Sequence, residues 1–140
     1  MTRTRTVLVV DEDLDGRLAL GDLLEDQGWE VVLLPHPREA VAALGCRRPA
    51  LVVTELWRAG TPDGASFAAL LAQARRSRSP LIVFTAWSTR AISACLDIPV
   101  VSKPNIGALL RSIEASSLPP APLHVPRELG AGSSRVLTTA

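Results

Sequence analysis

The chain has 140 residues, enough for one domain of ordinary size that buries about 70% of its unfolded surface and needs no disulfide or metal staple. Fifteen basic residues against 14 acidic ones leave a net charge of +1, so there is no basic excess to grip nucleic acid. No apolar run approaches the roughly 18 residues of a membrane span, and four apolar residues after Met1-Thr2-Arg3-Thr4-Arg5-Thr6 are too few for a secretory signal.

These features predict a cytoplasmic protein with neither a membrane nor a nucleic-acid partner. Cys46 and Cys95 lie far apart with no CxxC and no nearby histidine, which fits two small buried side chains better than a disulfide or zinc module. Fourteen of the 15 basic residues are arginine, and the single lysine is Lys103.

Five short apolar runs punctuate the chain: Val7–Val10, Val31–Leu34, Leu51–Val53, Leu81–Phe84 and Ile98–Val101. They are continuous rather than alternating, as in parallel strands covered on both faces. The first is followed by Asp11-Glu12-Asp13 and then by Leu14, Leu18, Leu20, Leu23 and Leu24 at helical spacing, with Gly28 as a C-terminal cap. Pro37 through Leu44 predicts a short helix with proline in its first turn and Gly45 behind it. Phe67, Leu70, Leu71 and Ala74 form one apolar helical face, and Ile106, Leu109, Leu110 and Ile113 form another. Strand and helix alternating in this way predict a doubly wound α/β sandwich with right-handed crossovers. Its chemistry belongs at the carboxyl edge of the sheet. From residue 118 onward, four prolines in eight residues and then Gly130 to Ser134 predict a flexible tail over 118–140.

The parallel arrangement brings Asp11, Glu12, Glu55, Thr85 and Lys103 to one edge. Carboxylates converging there require a hard cation, a raised pKa or a neighbouring ammonium, and Lys103 can supply the last. With Asp11-Glu12 after the first strand, Asp63-Gly64 entering the third helix, Thr85-Ala86 after the fourth strand and Lys103-Pro104 after the fifth, the chain resembles the receiver domains of bacterial two-component response regulators over residues 5–117. The resemblance implies a flavodoxin-like receiver fold, a five-stranded parallel sheet in the order 2-1-3-4-5. It also implies a Mg²⁺ pocket made by Asp11, Glu12, the residue at position 55 and the backbone carbonyl of Trp57. In receivers an aspartate at the end of the third strand takes a phosphoryl group from a sensor histidine kinase, and the resemblance implies that Thr85 and Lys103 are the residues that would bind the phosphoryl oxygens. The output surface of the family is the face of the fourth helix, fifth strand and fifth helix.

The chain departs from that pattern at the acceptor. Glu55 holds the position, and no aspartate lies within seven residues before Asp63. The extra methylene pushes the carboxylate outward by about one carbon–carbon bond, roughly 1.5 Å. This makes Glu55 a poor phosphoacceptor that reaches toward Lys103 instead, a built-in substitute for a phosphorylated aspartate or the mark of a degenerate pocket. Val100 stands where receivers commonly carry a switch aromatic. The 17 residues between Thr85 and Lys103 predict a fourth helix that is short or partly unwound. Trp57 and Trp87 should flank the pocket, either packed over its loops or as an aromatic wall against a partner. Arg47, Arg48, Arg58, Arg75, Arg76, Arg78 and Arg90 read chiefly as solvated helix ends and turns.

The leading expectation is a stand-alone atypical receiver: a protein-interaction module in two-component signalling, with weak or absent Mg²⁺ binding, no catalytic residue and no enzymatic activity. Its partner would be a sensor histidine kinase or another signalling protein, with homodimerisation through the altered fourth-helix face left open. The alternatives are a working phosphoacceptor or relay, through Asp11 or Asp13, and a metal-dependent phosphatase on the same fold. The last lacks an obvious general base, since His36 falls in a loop and His124 in the tail.

Overall fold

The computed structural model describes residues 5–87 and 96–117. The expectations for the fourth helix, Arg90, Cys95 and the segment 118–140, His124 included, lie outside these residues. Five strands, β1 (Thr6–Val10), β2 (Glu30–Leu34), β3 (Leu51–Thr54), β4 (Leu81–Thr85) and β5 (Val100–Ser102), form one parallel sheet in the order β2-β1-β3-β4-β5. The doubly wound architecture expected from the alternation is the one observed.

The central strands bury both faces, which is why they read as unbroken apolar runs. Val7, Val9, Leu51, Val53, Ile82 and Phe84 point into one core with helices α1 (Leu14–Asp26) and α4 (Ile106–Ser117). Leu8, Val10, Val52, Leu81 and Val83 point into the other with α2 (Pro37–Cys46) and α3 (Gly64–Ser77). Alternate residues of each strand therefore serve opposite layers.

Helix boundaries follow local chemistry. The Asp13 carboxylate accepts a hydrogen bond from Gly16 N at 2.9 Å and caps α1, while Gly28 beyond its end takes φ 96° in the left-handed region. Pro37 occupies the first turn of α2, with His36 as N-cap, and the Glu39 carboxylate accepts from His36 N at 3.1 Å. Gly64 has no room for a side chain, because a Cβ there would drive into the backbone carbonyl of Arg58 and lie 3.1 Å from Ala59 Cα. Gly64→Ala is therefore expected to destabilise the protein by about 1–3 kcal/mol despite alanine's better helix propensity, read as a lower urea midpoint with unchanged slope.

Four local expectations are corrected. The last strand begins at Val100 rather than Ile98, because Pro99 has no N–H to donate and joins the sheet only through its carbonyl, which accepts from Val83 N at 3.0 Å. Helix α2 runs through Gly45 to Cys46 instead of ending before it. Cys46 is exposed rather than a core residue, as befits the last position of a surface helix. Leu14 and Leu18 lie on the outer side of α1, 55% and 45% exposed, while Leu20, Gly21 and Leu24 face the sheet. Among the described residues, no helix is long and apolar enough to cross a membrane.

Candidate functional site

The carboxyl edge of the sheet is built by backbone hydrogen bonds that continue one residue past the strands. Asp11 N donates to Leu34 O at 3.0 Å, Glu55 N to Val10 O at 2.8 Å, and Lys103 N to Thr85 O at 2.8 Å. The three residues that carry the opposing charges are thus positioned by the ladder itself. The Lys103–Pro104 peptide bond is cis.

Lys103 Nζ donates to Asp11 Oδ2 and to Glu55 Oε1, both at 2.8 Å. The remaining oxygens of the two carboxylates are also engaged. Asp11 Oδ1 accepts from Asp13 N at 2.9 Å, and Glu55 Oε2 accepts from Leu56 N at 2.7 Å. Arg17 Nη1 donates to the backbone carbonyl of Asp11 at 2.7 Å, fixing the loop from beneath. Burial pulls the Lys103 pKa down, but the hydrogen bonds it donates to Asp11 and Glu55 and their negative charges outweigh it, leaving the ammonium above its ordinary 10.5.

The flanking residues divide by exposure. Trp57 does not stand out as half of an aromatic wall. It is buried, its ring centroid 6.1 Å from that of Phe67, and its Nε1 donates to Glu12 Oε1 at 3.1 Å. An indole carries one polar atom, and satisfying it with Glu12 is what allows the ring to sit inside. Trp87 is 47% exposed, with the Arg58 guanidinium 4.9 Å above its ring. Arg58 therefore covers an aromatic face instead of being merely solvated. Thr85 is fully buried, and its hydroxyl oxygen accepts from Trp87 N at 3.2 Å. Val100 is half-buried beside the α2/α3 core.

An open groove over this edge is lined by Glu12, Glu55, Trp57, Asp63, Trp87 and Lys103, among others. Sequence reasoning missed one contributor to this edge, His36. Its Nδ1 lies 3.2 Å from Asp63 Oδ2. The signal was available: His36 follows β2 by two residues, so parallel topology carries it to the same edge as Asp11.

No family model matches the chain, and no curated protein matches it. Solved structures do match in fold. The chemotaxis protein CheY4 of Vibrio cholerae superposes with a TM-score of 0.67 at 22% identity, covering 81% of this chain and 99% of that one. A response regulator receiver protein from Pseudomonas putida gives 0.66 at 24% identity, covering 82% and 99%. The response regulator TrrA of Thermotoga maritima, solved in complex with Mg²⁺ and BeF, gives 0.64 at 22% identity, covering 81% and 99%. The chain shares their flavodoxin-like receiver fold.

Proposed function

We propose that the chain is an atypical receiver module of two-component signalling, acting in the cytoplasm through protein contacts rather than as an enzyme, and held in one state by Glu55. The observation that carries this reading is the 2.8 Å hydrogen bond from Lys103 Nζ to Glu55 Oε1. In the mechanism of receivers, a lysine at this address meets the oxygens of a transferred phosphoryl group. Here a carboxylate of the chain itself takes that role, so the rim is already charge-paired without covalent modification. The partner would be a sensor histidine kinase or another signalling protein. Leu14 opens α1 just behind the acidic loop, Ile106 opens α4 three residues after Lys103, and both are exposed apolar side chains at this end of the sheet.

The residues fit Mg²⁺ poorly. Mg²⁺ asks for oxygen ligands with room for several waters, whereas the Lys103 ammonium already stands between Asp11 and Glu55, 2.8 Å from an oxygen of each, and repels a second cation there. The proposal therefore includes weak or absent Mg²⁺ binding. The test is incubation with acetyl phosphate and Mg²⁺, or with a phosphorylated kinase, followed by intact mass measurement. The expected result is no added phosphoryl group; stable, stoichiometric modification at Glu55 would overturn the reading.

A further inference from the structure

We propose that Glu12, His36 and Asp63 form a binding site for a borderline divalent transition ion, of which Zn²⁺ is the type, beside the Lys103 pocket. One carboxylate oxygen from each acid and a ring nitrogen of His36 all lie within 4.8 Å of one another. They come from three separate elements: the loop after β1 and the N-caps of α2 and α3. The site does not depend on how Glu55 behaves.

Two observations single out this cluster from an ordinary group of surface acids. The Nδ1 atom of His36 is shut off from solvent and, among the described residues, is the buried side-chain nitrogen or oxygen that makes no hydrogen bond. Asp63 Oδ2 lies 3.2 Å away, but out of hydrogen-bonding alignment. Coordination to a cation would satisfy the nitrogen that this misaligned contact leaves without a hydrogen bond. Asp63, moreover, occupies the N-cap of α3 without performing that role, since its side chain makes no capping hydrogen bond and faces His36 instead.

Charge points the same way. Asp11 and Glu55 share the Lys103 ammonium, whereas neither Glu12 nor Asp63 pairs with a lysine or arginine among the described residues. The positive ends of α2 and α3 disfavour a cation here, but each is equivalent to only about half a charge, against two full carboxylates. An imidazole among the ligands favours Zn²⁺, Cu²⁺ or Ni²⁺ over Mg²⁺, which prefers oxygen alone. Ligands about 2.1 Å from a tetrahedral ion stand about 3.4 Å apart, so atoms within 4.8 Å of one another must tighten by up to about 1.4 Å. Glu12 is exposed on a loop and can supply that movement at the expense of the hydrogen bond its Oε1 accepts from Trp57 Nε1. Three protein ligands leave a further coordination position for water or an anion.

The test uses the tag-free full chain with Cys46 and Cys95 changed to serine, titrated with Zn²⁺ near neutral pH by calorimetry and followed with Co²⁺ by visible absorption. The expected result is saturation at one ion per chain, resistance to excess Mg²⁺, and affinity at least about tenfold weaker in His36→Gln and in Asp63→Asn. The imidazole ¹⁵N resonances of His36 in the unchanged pocket should shift on adding Zn²⁺, a readout that does not depend on the variants folding. Absence of binding, displacement by Mg²⁺, equal affinity in both variants, or unmoved His36 resonances would each overturn the proposal.

Discussion

Glu55→Asp is expected to become phosphorylated by acetyl phosphate in the presence of Mg²⁺ at a rate at least about 100-fold above the wild-type chain, since about 1 Å of misplacement can cost that much in a site of this kind. The backbone at position 55 is held by its hydrogen bond to Val10 O and is unaffected by the side chain. Removing one methylene draws the carboxylate back by roughly 1.5 Å, away from the ammonium, and opens space where a phosphoryl group and a cation can enter. Intact mass over time measures the effect. Equal, negligible incorporation in both proteins would mean that the pocket is disabled by more than the length of one side chain.

Lys103→Met is expected to destabilise the fold by about 1–3 kcal/mol. Breaking one partner of a fully buried ion pair costs about 3–5 kcal/mol, and the figure is reduced here because the lysine side chain keeps 25% of its exposure. The loss arises from leaving Asp11 and Glu55 facing each other with no cation between them. Changing Glu55 to glutamine in the same chain should therefore recover part of it, and a double-mutant cycle in urea isolates that coupling.

The pH dependence follows in sign. Because the folded ammonium is held above 10.5, the stability it contributes is fully present below 10.5 and is lost as pH rises through the folded value. Urea midpoints of the wild type should fall across that alkaline range more steeply than those of Lys103→Met. A parallel fall in the two proteins would argue that the lysine gains nothing from its partners.

The strands were legible because burial on both faces leaves no polar residue to interrupt a run such as Val7–Val10 or Leu81–Phe84. Once parallel order is assumed, Asp11, Glu55, Thr85 and Lys103 fall on one edge by counting alone. What counting does not reveal is which way a side chain turns. Leu14 and Leu18 continue an apolar series but sit on the outer side of their helix. Trp57 looked like a rim residue until its indole N–H found Glu12 and the ring could be buried. His36 was overlooked because a lone histidine in a loop has no periodicity to announce it. Its partner Asp63 lies 27 positions away and is brought near only by the packing of α2 against α3.

The three ladder hydrogen bonds that run past the strand ends make the rim a socket independent of its contents. Asp11, Glu55 and Lys103 are located by main-chain atoms, so their side chains can be exchanged while the spacing of the Cα positions is retained. Such a chassis allows the charge carried at each position to be changed by substitution without having to rebuild the sheet. The same property makes this edge a convenient place to engineer new charge patterns into a small α/β protein.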